Sequence, residues 1–109
     1  MAKIITIYWR DIPAQIIGQE GRRRHKQELS KRFALAIDRA AMRAGRGSST
    51  AYLEDWRRER SSCSGEMQAA VSVEANRLEA LFPDDVLERF IKAGGNDPAK
   101  TDDTEKSSE

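Results

Sequence analysis

The side chains of this sequence whose types and spacing favour binding are cationic and aromatic. The segment 8–15, which reads YWRDIPAQ, places two aromatic residues and an Arg–Asp pair beside a proline, and a basic run follows at 22–26. Tryptophan and arginine are among the residues most enriched at the energetic centres of protein interfaces. Clustered arginines and lysines can also hold phosphate groups. Both segments therefore favour binding over catalysis.

We predict that a partner contacts these two segments and a second basic cluster at 57–60. The residues assigned to this surface are Tyr8, Trp9, Arg10, Asp11, Arg22, Arg23, Arg24, Lys26, Arg57 and Arg58. If the short helix that carries the second cluster folds beside the long helix, both clusters would join Arg39 and Arg43 in one positive field. That geometry is a hypothesis for the structure to test.

A structural role for the same residues is the competing interpretation. Trp9 would then cover the hydrophobic core, because tryptophan is largely buried on average, and Arg10 would pair with Asp11 at a turn. The basic run would be a solvated turn near Glu20 and Glu28. The residue types alone leave both interpretations open.

Nucleophiles and metal ligands are sparse. His25 is the only histidine and Cys63 the only cysteine, whereas a structural zinc site generally needs four such ligands. A Cys–His nucleophile pair is formally possible, but no third group that would orient it is indicated. The serines near Cys63 lack a nucleophile elbow, and the glycines do not match a nucleotide-binding loop. We expect no catalytic residue, no metal site and no cofactor.

Composition bounds the class of protein. Hydrophobic residues make up 39% of the chain and charged residues 34%, which indicates one modest core and one domain. No apolar run approaches the roughly 20 residues of a membrane helix, and the N-terminus lacks the apolar core of a signal peptide. A single cysteine excludes an internal disulfide and is typical of a reducing compartment. We therefore expect a cytoplasmic protein.

The net charge of +1 hides an asymmetry. Residues 1–60 contain 14 Lys/Arg and 7 Asp/Glu, whereas residues 61–109 contain 5 Lys/Arg and 11 Asp/Glu. Such a split is typical of a basic binding face, an acidic tail or a homo-oligomer, and it also fits halves that neutralise each other across the fold.

Local patterns predict an α+β fold in which an N-terminal β-hairpin packs against about four helices. The hairpin comprises strands at 3–9 and 14–19 joined by a turn at 10–13. Helical periodicity covers 23–44, and a short helix follows from the cap candidates at 48–50, with Tyr52, Leu53 and Trp56 buried and residues 57–60 frayed. Helices at about 66–82 and from Asp84 to Gly94 complete a domain at 1–94. We expect residues 95–109 to be a disordered acidic tail.

The order of these segments resembles the virulence factor domain family over about residues 4–92. The resemblance is carried by YWRDIPAQ, the basic run, an alanine-rich helix that ends in AIDRAAMRAG, and YLEDWRR. A similar segment occurs in larger bacterial proteins, the conserved virulence factor C proteins, beside an iron–sulfur-scaffold-like region and helical repeats. There a looser aromatic–basic pattern replaces residues 8–11, whereas Ile12–Pro13 stays recognisable. This chain lacks both neighbouring regions, so their roles are not transferred.

The resemblance supplies no catalytic residue to transfer to this chain. Standalone relatives look like accessory proteins encoded near folate-linked one-carbon enzymes in some bacteria. We therefore expect a bacterial, non-catalytic accessory or scaffold protein that docks on a protein partner, with a folate-linked one-carbon enzyme as the candidate. The alternatives are a nucleic-acid or anion-binding module that uses the basic N-terminal half, and a small enzyme of unknown chemistry.

Overall fold

The structure is a computed structural model, and it describes residues 2–46, 49–63 and 65–99. These residues contain one antiparallel sheet of four strands. The strand order is β3-β2-β1-β4. In chain order, the elements are β1 (Ala2–Trp9), β2 (Ile12–Glu20), β3 (Arg23–Glu28), α1 (Lys31–Arg43), α2 (Ser49–Glu54), β4 (Trp56–Ser62), α3 (Met67–Leu81) and α4 (Asp84–Lys92). The α+β class and the N-terminal hairpin predicted from the sequence are confirmed.

The hairpin is tighter than predicted. Trp9 pairs with Ile12, so the turn consists of Arg10 and Asp11 alone, and β2 begins before Pro13 instead of after it. Arg10 has a φ of 54°, the left-handed conformation that tight hairpin turns require. The register shifts between Ile7 and Tyr8, and this bulge is how a strand accommodates a proline.

Two basic segments predicted to be helical are strands. Residues 23–28 form β3, which pairs with β2, and α1 begins only at Lys31. The basic run therefore lies on a strand and not in the first turn of α1. Residues 56–62 form β4, which pairs with β1, instead of the frayed end of the short helix. In both cases a neighbouring strand supplies backbone hydrogen bonds that local charge patterns do not reveal.

Helix α3 covers one face of the sheet, the face that carries Ile4, Ile16 and Gly18. A Cβ atom on Gly18 would lie 2.5 Å from the Met67 sulfur and 2.7 Å from a Val71 methyl carbon, so only glycine allows α3 to approach this closely. Val71 is completely buried in the main core. This packing fixes which side of each strand faces the helix.

The remaining helices pack around the end of the sheet that carries Trp9 and Ile12. Both residues belong to the same core cluster as Phe33 and Ile37 of α1. Phe82, after α3, contacts the ring of Phe33, with centroids 6.0 Å apart, and the ring of Phe90 on α4, at 5.0 Å. Leu53, predicted to be buried in α2, is 64% exposed.

The chain after α4 returns to the hairpin turn. Gly94 and Gly95 are buried, although the sequence places the start of the disordered tail at residue 95. The backbone amide of Asp11 donates to the Gly95 carbonyl at 2.9 Å. The predicted tail at 100–109, and the cap candidate Ser48, lie outside the described residues. No helix among the described residues is long and apolar enough to cross a membrane.

Candidate binding surface

Trp9, the first residue expected to contact a partner, lies in the core. Its exposed fraction is 0%, and its indole nitrogen donates to the Tyr52 carbonyl at 2.8 Å. The two rings stack with centroids 5.9 Å apart. A Cβ atom on Gly95 would lie 2.7 Å from the indole, so the returning chain is in close contact with the ring. Trp9 therefore covers the hydrophobic core, as the structural interpretation of this residue predicted, and is not exposed to a partner.

Arg10 is held by contacts within the protein. Its Nε lies 3.2 Å from an Asp55 carboxylate oxygen, and its Nη1 donates to the Gly94 carbonyl at 2.9 Å. The same Asp55 oxygen accepts from Arg46 at 2.9 Å. The partner of Arg10 is thus Asp55, 45 residues away, and not the adjacent Asp11.

Asp11 connects three parts of the chain. One carboxylate oxygen lies 3.1 Å from Nη2 of Arg57, and the other accepts the backbone N–H of Asp97 at 2.7 Å. Arg57 also donates to the Arg10 carbonyl at 2.7 Å. Together with Arg10, these contacts tie the hairpin turn to β4 and to the chain after α4. We call residues 9–11 with these partners the turn network.

Tyr8 lies on the face that α3 covers. The Arg57 guanidinium stands over its ring, 4.5 Å from the centroid. Burial raises the pKa of the phenol, and the nearby Glu59 and Glu74 carboxylates raise it further. Tyr8 and Arg57 therefore extend the turn network toward α3.

The two basic clusters reach the opposite face of the sheet, as the strand register shows. Residues paired across antiparallel strands project to the same side, and successive residues alternate. Ile5 pairs with Ile17 and Arg60, and Ile17 pairs with Lys26. Two parallel rows lie on either side of this one. We call the three rows the open face: Ser62, Lys3, Gln19 and Arg24; Arg60, Ile5, Ile17 and Lys26; Arg58, Ile7, Gln15 and Glu28.

The open face presents cations around a short apolar centre. Its basic residues Lys3, Arg24, Lys26, Arg58 and Arg60 are all exposed. Ile5 and Ile7 are buried yet lie outside the main core cluster, and their neighbours in the rows are the long side chains of Arg58, Arg60 and Gln15. We attribute their burial to these flanking side chains.

The cations of the open face differ from most of the other arginines in their partners. Among the described residues, none of the five forms an ion pair or a side-chain hydrogen bond. Elsewhere, arginines meet carboxylates: Arg39 lies 3.1 Å from Glu88, and Arg32 lies 2.8 Å from Glu79. The sheet thus gathers positive charge that no carboxylate of the described chain neutralises.

The structure separates some residues that the sequence analysis grouped. Arg23 pairs with Glu20 at 3.5 Å and projects to the α3 side of β3, whereas Arg22 lies exposed in the turn before it. Arg39 and Arg43 contact α4, so they do not join the basic clusters in one field. The hypothesis that Arg39 and Arg43 join both clusters is therefore wrong. Arg24 and Lys26 of the first cluster do share the open face with Arg58 and Arg60 of the second.

The open face ends in a cleft of about 490 Å³ between the sheet, α1 and α2. Its apolar wall includes Leu29, Ile37, Tyr52 and Trp56, and its polar wall includes Gln15, Glu28 and Lys31. Tyr52 and Trp56 meet edge to face, with centroids 5.6 Å apart. Burial raises the pKa of the Tyr52 phenol, and the Asp38 carboxylate adds to the shift.

No Cys–His pair forms. His25 and Ser61 lie in one row at opposite edges of the sheet, and three strand spacings of roughly 4.8 Å separate them. Cys63 follows β4 and is therefore remote from His25. The described residues also contain no group of three or more His, Cys, Asp or Glu side chains that could hold a metal ion.

Sequence reasoning missed Lys3 and the aromatic cleft as parts of a candidate binding surface, and it placed Arg60 in the second basic cluster without recognising the strand that carries it. A period-two signal was present, since Trp56, Arg58 and Arg60 alternate with Arg57 and Glu59. The high charge of this stretch and its position after a helical segment concealed the strand.

The fold and this surface define a small α+β protein with one helix-covered sheet face and one basic, open face. The chain belongs to the virulence factor family, whose sequence model matches residues 7–91. None of the curated proteins and none of the solved structures compared with the chain is significantly similar to it.

Proposed function

We propose that this protein is a non-catalytic binding module that docks on an acidic surface of a protein partner through the open face. The observation that carries the proposal is the set of exposed cations without intramolecular partners on one side of the sheet. Charged groups that lack a partner within a protein are available to complement a second protein, and they also accelerate association. The turn network, in contrast, keeps the open face in place.

A protein partner fits the open face better than nucleic acid does. Single-stranded nucleic acid is usually held by aromatic side chains interleaved with cations, on which bases stack. The three rows of the open face carry isoleucines and glutamines between their cations instead. The family resemblance suggests a folate-linked one-carbon enzyme as the first partner to test.

The experiment is affinity purification from the native host with the tagged wild-type protein and two double variants. Arg58→Glu/Arg60→Glu reverses charge on the open face, and Arg89→Glu/Lys92→Glu makes the same change of net charge on α4. We expect a stoichiometric protein to copurify with the wild type and the α4 variant and to be lost with the open-face variant. Equal recovery with both variants would contradict the proposal.

Treatment with nuclease and titration with salt distinguish the nucleic-acid alternative. A protein complex should survive nuclease. For binding to nucleic acid, the logarithm of the association constant would fall steeply and linearly with the logarithm of the salt concentration, because phosphate contacts release counterions. Copurification that depends entirely on nucleic acid would replace the proposed function with the anion-binding alternative.

A further inference from the structure

The aromatic cleft is the feature that the proposed function leaves unused, and it is continuous with the open face. Gln15 and Glu28 line the cleft and also belong to the last row of the open face. On β4, Trp56 lies two residues before Arg58 and projects to the same side. Cations therefore lead toward the cleft along both edges of the sheet.

We propose that the cleft receives a bulky apolar side chain from an acidic segment of the partner. This inference rests on the proposed function and names the partner's chemistry. The apolar wall of Leu29, Ile37, Tyr52 and Trp56 matches an uncharged anchor, and a volume of about 490 Å³ accommodates one. Acidic residues beside the anchor would reach the unpaired cations of the open face.

The width of the sheet sets the pattern of the segment. Arg60 and Lys26 occupy one row at opposite edges, three strand spacings apart, which is roughly 14 Å. An extended chain rises about 3.3 Å per residue, so about five residues span this distance. The segment therefore carries acidic residues about four positions apart and an apolar anchor at one end.

The segment belongs to a partner and not to residues 100–109 of this chain. Those residues read KTDDTEKSSE and include acidic side chains, but none of them is bulky and apolar. They have no anchor for the cleft. The occupant is thus an acidic peptide with a leucine, phenylalanine or similar residue.

Filling the cleft tests the inference without altering the core. Ala34 lines the cleft but is exposed on α1, so Ala34→Phe should block the cleft while the domain stays folded. Met42 is 70% exposed on the same helix and is not part of the cleft wall, which makes Met42→Phe the matched control. Circular dichroism and thermal melting check that both variants are folded.

The probes are two fluorescein-labelled peptides with the same acidic residues, one with a leucine anchor and one with serine in its place. We expect the leucine peptide to bind about tenfold more tightly than the serine peptide, and Ala34→Phe to abolish that difference. Met42→Phe should bind both peptides as the wild type does. Fluorescence anisotropy at fixed ionic strength measures each dissociation constant.

Three outcomes would overturn the inference. The first is equal affinity for the two peptides, and the second is an unchanged preference for the leucine peptide in Ala34→Phe. The third is that free indole binds the cleft more tightly than the leucine peptide does, so that the acidic residues add no affinity. If the Arg58→Glu/Arg60→Glu variant still loses its copurifying protein, any of these outcomes removes the anchor alone and leaves the proposed function standing. If the Arg58→Glu/Arg60→Glu variant retains the copurifying protein and the wild type does not bind the leucine peptide, both the anchor and the proposed function are contradicted.

Discussion

The turn network and the open face contain the same residue types in opposite surroundings: paired within the fold in the first and exposed to solvent in the second. In the turn network, Arg10 and Arg57 meet Asp55 and Asp11 at hydrogen-bonding distances, and Trp9 is wholly buried. On the open face, arginines and lysines are exposed and form no ion pair among the described residues. Residue type therefore does not distinguish a charge that is paired within the fold from one that is exposed and unpaired. The partner of each charge does, and tertiary structure supplies it.

The largest expected effect is the loss of Trp9. Replacement by alanine removes a fully buried indole together with its hydrogen bond to Tyr52 and its contact with Gly95. We expect a loss of about 3–5 kcal/mol in the free energy of unfolding, measured by urea denaturation. Leu53→Ala, at a position 64% exposed, is the control and should change this free energy by less than about 0.5 kcal/mol. A Trp9 variant as stable as the control would mean that the core does not depend on the turn.

Asp11→Ala should have the next largest effect. It removes the acceptor of the Asp97 amide and one of the acceptors of Arg57 at a site where the Asp11 side chain is 16% exposed. We expect a loss of about 1–3 kcal/mol, read from chemical denaturation. Asp85→Ala breaks an exposed pair with Arg89 and should cost about 0.5 kcal/mol or less. Similar losses in the two variants would erase the distinction between the turn network and the surface pairs.

Charge reversal on the open face should leave stability nearly unchanged. Arg58 and Arg60 are exposed and have no intramolecular ion pair to lose. We expect the Arg58→Glu/Arg60→Glu variant to unfold within about 0.5 kcal/mol of the wild type per substitution, even though it no longer binds the partner. Thermal melting followed by circular dichroism measures this. A marked fall in stability would show that these cations serve the fold.

The smallest effect is expected from Glu66, which caps α3. Its carboxylate accepts the backbone N–H groups of Gln68 and Ala69 at 2.9 and 3.0 Å, and these bonds lower its pKa below the ordinary 4.5. A pKa lowered by folding stabilises the protein above the unfolded value, and that stabilisation is lost as the pH falls through the folded pKa. Denaturation across the acidic range should show this decline in the wild type and a weaker decline in Glu66→Gln. Parallel pH profiles would contradict the assignment.

Local signals allowed much of the fold to be predicted. The β-branched run of β1 indicated the hairpin, and the proline between α3 and α4 and the glycines after α4 placed these two helices close to their observed positions. β3 and β4 were missed because each is a highly charged strand. β4 pairs with β1, which is distant in the sequence, whereas β3 pairs with β2 across the short turn at Gly21 and Arg22. The candidate site was predicted in part: Arg24, Lys26 and Arg58 were chosen and lie on the open face, whereas Trp9 was chosen and lies in the core.

The sequence by itself determined the α+β class and which cationic and aromatic residues are candidates for binding, because these follow from composition and from periodicity within short segments. Tertiary structure decided which of the residues are available. Pairing of β4 with β1 and of β3 with β2 brings Arg60 and Lys26 into one row, although 34 positions separate them in the numbering. The return of the chain to Gly95 encloses Trp9. The pairing of β4 with β1 and the return of the chain to Trp9 depend on contacts between distant segments, which no local pattern encodes.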